Sequence, residues 1–130
     1  MLGARLMAAT SGTVQIGVGV LYLAPETLVR RPLEPGQVSA VVYIESFGPI
    51  WTIGFALTGL LLLTAAFRKK GFVPGHIMSA SWWGFYSGSI LLSAVLTEPP
   101  APVVAGAIAA GLGCALQLAI ARSDAERGHR

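Results

Sequence analysis

The sequence predicts an all-α integral membrane protein, a four-helix bundle with short loops and with both termini on the cytoplasmic side. Three observations carry that expectation. Four apolar stretches, at about 6–24, 48–67, 74–96 and 101–121, contain no Asp, Glu, Lys or Arg. Each is long enough to cross a hydrocarbon core about 30 Å thick at about 1.5 Å per helical residue. Composition agrees, with 54% hydrophobic and 12% charged residues and a mean hydropathy of +0.68, where soluble domains carry about 25% charged residues. Last, Lys and Arg are unevenly shared among the segments between spans. Seven of them (Arg5, Arg68, Lys69, Lys70, Arg122, Arg127 and Arg130) lie on one side, and two, Arg30 and Arg31, on the other. The positive-inside rule then places both tails and the second loop in the cytoplasm.

The first span holds Ala8, Gly12, Thr13, Gln15, Gly17 and Gly19, so small residues occupy much of its circumference and a neighbouring backbone can come close. Tyr22 falls near the outer end, where a ring with one polar tip is comfortable. The span is read as retained. Gln15 and the glycines interrupt it too often for a signal-peptide core, and Ala24-Pro25 is a poor cleavage site.

Between the first two spans, Pro25, Pro32, Pro35 and Gly36 punctuate the longest polar stretch and leave no room for a second core. The whole chain, 1–130, is one domain. Residues 37–46 are moderately apolar, but adding them to the second span would exceed the bilayer, so they form a short interfacial segment. Ser46 is the expected N-cap of the second span, with Pro49 in its first turn and Trp51 at the outer interface. The span closes at Arg68-Lys69-Lys70-Gly71, whose cations suit a helix C-terminus and an anionic leaflet.

In the third span Ala80, Gly84 and Gly88 recur every four residues and make one ridge nearly flat. Beside them Ser79, Trp82, Tyr86, Ser89 and Ser93 share a face at steps of three and four. They are either packed inside the bundle or turned to a partner or a wet path. The fourth span shows a comparable row, Ala105, Ala109, Gly113 and Gln117. Pro99, Pro100 and Pro102 leave a tight turn, which makes the third and fourth spans antiparallel neighbours, and the tail 122–130 is polar and frayed.

Several functions are disfavoured. Ionisable groups inside a membrane usually mark transporters and proton relays, and the spans hold only Gln15 and Gln117 as strongly polar groups at depth. Both are expected to hydrogen-bond across helices, within one chain or between chains. His76 reads as an interfacial histidine at a helix start, without companions at metal-ligand spacing. No catalytic grouping, phosphate loop or dinucleotide fingerprint occurs, so no enzyme, cofactor, metal, small-molecule substrate or nucleic-acid partner is expected. Cys114, the single cysteine, lies inside the fourth span and has no intrachain partner.

Brevity, four uncharged spans, very short loops and a charged C-terminal tail resemble a holin, the phage protein that accumulates in the host membrane and opens it at lysis. A composition rich in Ala, Gly and Arg is similar to that of small membrane proteins of actinobacterial tailed phages. The resemblance implies a protein that accumulates in the cytoplasmic membrane; separately, the small-residue ridges at Ala80, Gly84, Gly88, Ala105, Ala109 and Gly113 are expected to let it pack against further copies or another membrane protein. Two alternatives stay open: an accessory protein, for superinfection exclusion or as a subunit of a larger membrane complex, and a small transporter or channel.

Overall fold

The computed structural model describes residues 1–29, 32–97 and 103–129. Arg30, Arg31, Pro99, Pro100, Pro102, Arg130 and the expected start of the fourth span lie outside them. The described residues are helical, without strands: α1 (Leu2–Leu21), the short α2 (Ala40–Glu45), α3 (Ile50–Arg68), α4 (Phe72–Leu96) and α5 (Val104–Glu126), with one 3-10 turn at Glu26–Leu28. Two of the four long helices, α3 and α5, are long and apolar enough to cross a membrane. Length does not separate α1 and α4 from them. Those two helices carry Arg5, Gln15, His76, Ser79, Ser89 and Ser93 instead, which dilute their apolarity.

The long helices form two antiparallel pairs, α1 with α3 and α4 with α5, which meet along a narrower seam between α3 and α4. The first pair is set by glycine. A Cβ on Gly12 would stand 2.6 Å from the carbonyl oxygen of Gly59, and one on Gly59 would stand 2.7 Å from that of Gly12, so the two backbones touch where neither has a side chain. One helical repeat further on, Gly19 lies against Thr52, with its Cβ position 3.0 Å from that carbonyl. Gly17, which the sequence places among the same small residues, meets nothing. Across the seam, the ring of Trp82 covers Gly54 and occupies the space where a Cβ would be.

Trp51, in the first turn of α3, is fully buried within the protein, and its Nε1 donates to the Val41 carbonyl at 3.0 Å. It anchors a cluster of rings from α1, α3 and α4, including Tyr22, Phe55, Trp82, Trp83 and Tyr86, with centroids 5.0 to 6.4 Å apart. Such pairs add about 0.5–1.5 kcal/mol each beyond area burial. Through the same bond Trp51 ties α2 to the bundle. Ser39 caps α2, accepting from the Val42 N–H at 3.3 Å, and Ser93 of α4 accepts from the Ala40 N–H at 2.8 Å. The expected roles of Ser46 and Pro49 change. Ser46 closes α2 by donating to the Tyr43 carbonyl at 2.6 Å, and Pro49 stands at the N-cap position of α3.

At the opposite end, Lys69 and Gly71 adopt left-handed backbone (φ 56° and 82°) to reverse the chain between α3 and α4. The tail is not frayed: helix α5 continues through Glu126. It ends where Gly128 (φ 73°) turns the chain so that its N–H donates to Ala125 at 3.1 Å and the His129 N–H to Asp124 at 2.8 Å. This double closure satisfies two carbonyls that a helix end otherwise leaves open.

Gly12→Ala is expected to destabilise the protein by about 1–3 kcal/mol, because the added methyl meets backbone rather than a flexible side chain. Gly17→Ala, on the same helix with open space, should change stability by less than about 0.5 kcal/mol. Reversible unfolding in mixed detergent, followed by far-ultraviolet circular dichroism, measures the difference.

Candidate functional site

Polar side chains turned into the interior form two centres. Near the middle of the helices, Gln15 of α1 bridges α3 and α4: its Nε2 donates to Ser79 Oγ at 2.5 Å, and its Oε1 accepts from Thr58 Oγ1 at 2.6 Å. Thr58 Oγ1 also lies 2.9 Å from the Gly54 carbonyl. All three side chains are buried. A primary amide suits this position because it donates and accepts at once, and so satisfies one hydroxyl on each neighbouring helix. Two turns away, the hydroxyls of Tyr22 and Tyr86 meet at 2.6 Å.

The rest of the α4 stripe is used within the chain. Ser89 donates to the Phe85 carbonyl at 2.9 Å and Ser93 to that of Ser89 at 2.7 Å, back-bonds that a serine inside a helix makes readily. Thr97 continues the row, holding Val38 through both its N–H and its carbonyl. Trp82 Nε1 is buried and finds no partner among the described residues.

The second centre lies at the Lys- and Arg-rich end, between α4 and α5. His76, near the start of α4 as expected, is fully buried within the protein. Its Nδ1 stands 2.5 Å from Gln117 Oε1, so the ring donates there. Its Nε2 faces Asp124 Oδ2 at 4.0 Å, and neither atom has a closer partner among the described residues. Asp124 Oδ1 lies 3.3 Å from Nδ1 of His129. At that separation His76 and Asp124 face each other without a hydrogen bond, so each leaves one buried polar atom unsatisfied among the described residues. A carboxylate thus enters the interior from the segment expected to be a loose tail.

Around this centre are the cations of the sequence pattern. Arg5 reaches across to donate from Nε to the Ala66 carbonyl at 3.0 Å, satisfying an open carbonyl near the end of α3. Arg122 pairs with Glu126 at 2.9 Å on the exposed face of α5. Arg68, Lys69 and Lys70 are exposed at the turn. Beside that turn a groove of about 550 Å³ opens between α3 and α4, lined by Leu61, Thr64, Ala65, Arg68, Lys70, Gly71, Pro74, Gly75 and Met78.

The small-residue positions divide. Ala80 is buried, Gly84 packs with its Cβ position 3.4 Å from Cys114 Sγ, and Gly113 lies 3.1 Å from the Trp83 ring, all within one chain. Gly88, Ala105 and Ala109 are exposed. A row at steps of four drifts about 40° per step around a helix, or about 120° from Ala105 to Gln117. The buried face of α5 instead follows Ala107, Ala110, Gln117, Ala121 and Asp124 at steps of three, four and seven. That pattern was available in the sequence and points to Asp124. Thr58 and His129 carry no comparable signal. Comparison of the chain with protein-family models, curated proteins and solved structures gives no match.

Two outcomes follow from the centres. In a double-mutant cycle, Gln15→Leu and Ser79→Ala should show a coupling of about 0.6–2 kcal/mol, whereas Gln15→Leu with Ser81→Ala, whose hydroxyl bonds the Ile77 carbonyl on the exposed side, should be additive. Asp124→Ala should release the helix end: amide exchange at Ala125 to His129 is expected to quicken about fivefold, the equivalent of about 1 kcal/mol, while exchange in α3 stays unchanged.

Proposed function

We propose that this chain is a multi-pass protein of the cytoplasmic membrane, with α1, α3, α4 and α5 crossing the bilayer and both termini in the cytoplasm, and that it acts as a holin-like protein that associates laterally and permeabilises that membrane. The observation that supports the membrane reading best is an inverted distribution of side chains. Buried positions hold mainly Ala, Gly, Ser, Thr, Gln, His and a few rings, while Leu57, Leu60, Leu91, Leu92, Leu112 and Leu116 are about half exposed or more. In water such a surface is an aggregation liability; in lipid it is the solvated face. Orientation is supported by Arg5, Arg68, Lys69, Lys70, Arg122 and Arg127 gathering at one end and Glu26, Glu34 and Glu45 lying toward the other.

Lateral association draws on α5, which rests chiefly on α4 and leaves the rest of its surface open, and on the exposed small positions Gly88, Ala105 and Ala109. The hydroxyls of the α4 stripe are bonded within the protomer, with Trp82 Nε1 left without a partner among the described residues, so a lesion needs the α4 and α5 pair to part from α1 and α3. The narrow seam between the pairs is where that separation costs least. Gly84 and Gly113 belong to packing inside the chain, and substitution there would disturb the protomer before it reached any assembly.

Induced expression in a bacterial host should collapse the membrane potential abruptly, as read by a potential-sensitive dye. Gly88→Leu combined with Ala109→Leu should delay the collapse severalfold without lowering the amount of folded protein in the membrane. Normal growth with intact potential would instead support the accessory role, and saturable solute flux without killing would support a transporter.

A further inference from the structure

The groove between the end of α3 and the start of α4 combines a cationic mouth with an apolar wall. Its mouth carries Arg68 and Lys70, both exposed, with no Asp or Glu among its lining residues. Its wall is mainly apolar, with Leu61 and Met78 about half exposed and Thr64 among the lining residues. We propose that this groove binds one anionic phospholipid of the cytoplasmic leaflet. The phosphate sits between Arg68 and Lys70, and an acyl chain lies along Leu61, Ala65 and Met78.

Charge and depth both complement such a lipid. A phosphodiester offers charged oxygens that Arg takes with two donors and Lys with a point charge. Basic pockets between helices on the cytoplasmic side suit anionic headgroups, at about fivefold in affinity per cation. The apolar wall, continuous with the mouth, selects an esterified phosphate with its chains over free phosphate. Other cations at the same end are placed differently: Arg122 is paired with Glu126, and Arg5 is committed to the Ala66 carbonyl. Arg68 and Lys70 line the groove. The turn that carries them is set by the left-handed backbone of Lys69 and Gly71.

This inference rests on the membrane reading above, and the test separates the two. Protein is reconstituted into vesicles of phosphatidylcholine alone and of phosphatidylcholine with one fifth phosphatidylglycerol, and lipids retained after mild detergent extraction are identified by native mass spectrometry. One phosphatidylglycerol per chain should be retained at least tenfold over phosphatidylcholine. Arg68→Gln with Lys70→Gln should abolish the preference. Thr64→Trp, which fills the groove and leaves the charge intact, should weaken it severalfold, and Arg122→Gln with Arg127→Gln should leave it unchanged.

Equal retention of the two lipids would overturn the proposal while leaving the membrane reading intact, as would an equal loss in the Arg122 and Arg127 variant, which would mean diffuse surface charge. Displacement of the lipid by millimolar inorganic phosphate would overturn the lipid in favour of a phosphate site. Protein that remains in the aqueous phase with either vesicle would overturn both readings.

Discussion

A buried polar group must find its partner inside the protein, and in this chain that requirement falls on helices that are otherwise small or apolar. Gln15 meets it for three helices at once, joining Thr58 and Ser79. The join works only because α1 and α3 come close enough, and that closeness comes from Gly12 and Gly59, each without a side chain at the crossing. Glycine supplies the approach and glutamine the specificity. Among the described residues, hydrophobic core in the usual sense forms two patches. One is at the basic end around Leu62 and Phe72, and the other is the ring cluster around Trp51 and Phe55.

Because the tight contacts lie within each helix pair, the architecture is a pair of hairpins rather than a closed bundle. Trp82 resting on Gly54 and the Gln15 bridge hold the hairpins together, and α2 straps across their far end through Trp51, Ser93 and Thr97. The seam therefore depends on a few specific contacts, where each pair has a continuous face. Parting the pairs would break the Gln15–Ser79 and Tyr22–Tyr86 bonds and uncover the Trp82 ring, while the back-bonds of Ser89 and Ser93 stay within α4.

The helical class and the placement of the long helices were legible in the sequence, since uncharged apolar runs bounded by cations and prolines leave little choice. The stretch 48–67 became Ile50–Arg68 and 74–96 became Phe72–Leu96. What escaped was rotation. Small residues on α4 and α5 repeat at four, whereas helices that pack side by side bury a stripe nearer three and a half. A row read at four therefore slides from the buried Gln117 to the exposed Ala105. The second centre escaped for a different reason. Asp124 looked like part of a solvated tail, and only the closure at Gly128 carries the helix far enough to bring it to His76. The burial of Trp51 escaped too, because the sequence holds no sign of the Val41 carbonyl that claims its N–H.

The central claim is that the large apolar side chains face lipid, with the cationic end of the helices inside the cell. Cysteine accessibility tests it most directly. With Cys114 replaced by Ser, single cysteines at Glu34, Lys70 and Arg127 are challenged in intact cells with a membrane-impermeant maleimide. The account predicts rapid labelling at position 34 alone, and labelling at 70 and 127 only after the membrane is opened. Equal labelling at all three sites in intact cells, or recovery of the protein in the soluble fraction, would contradict it.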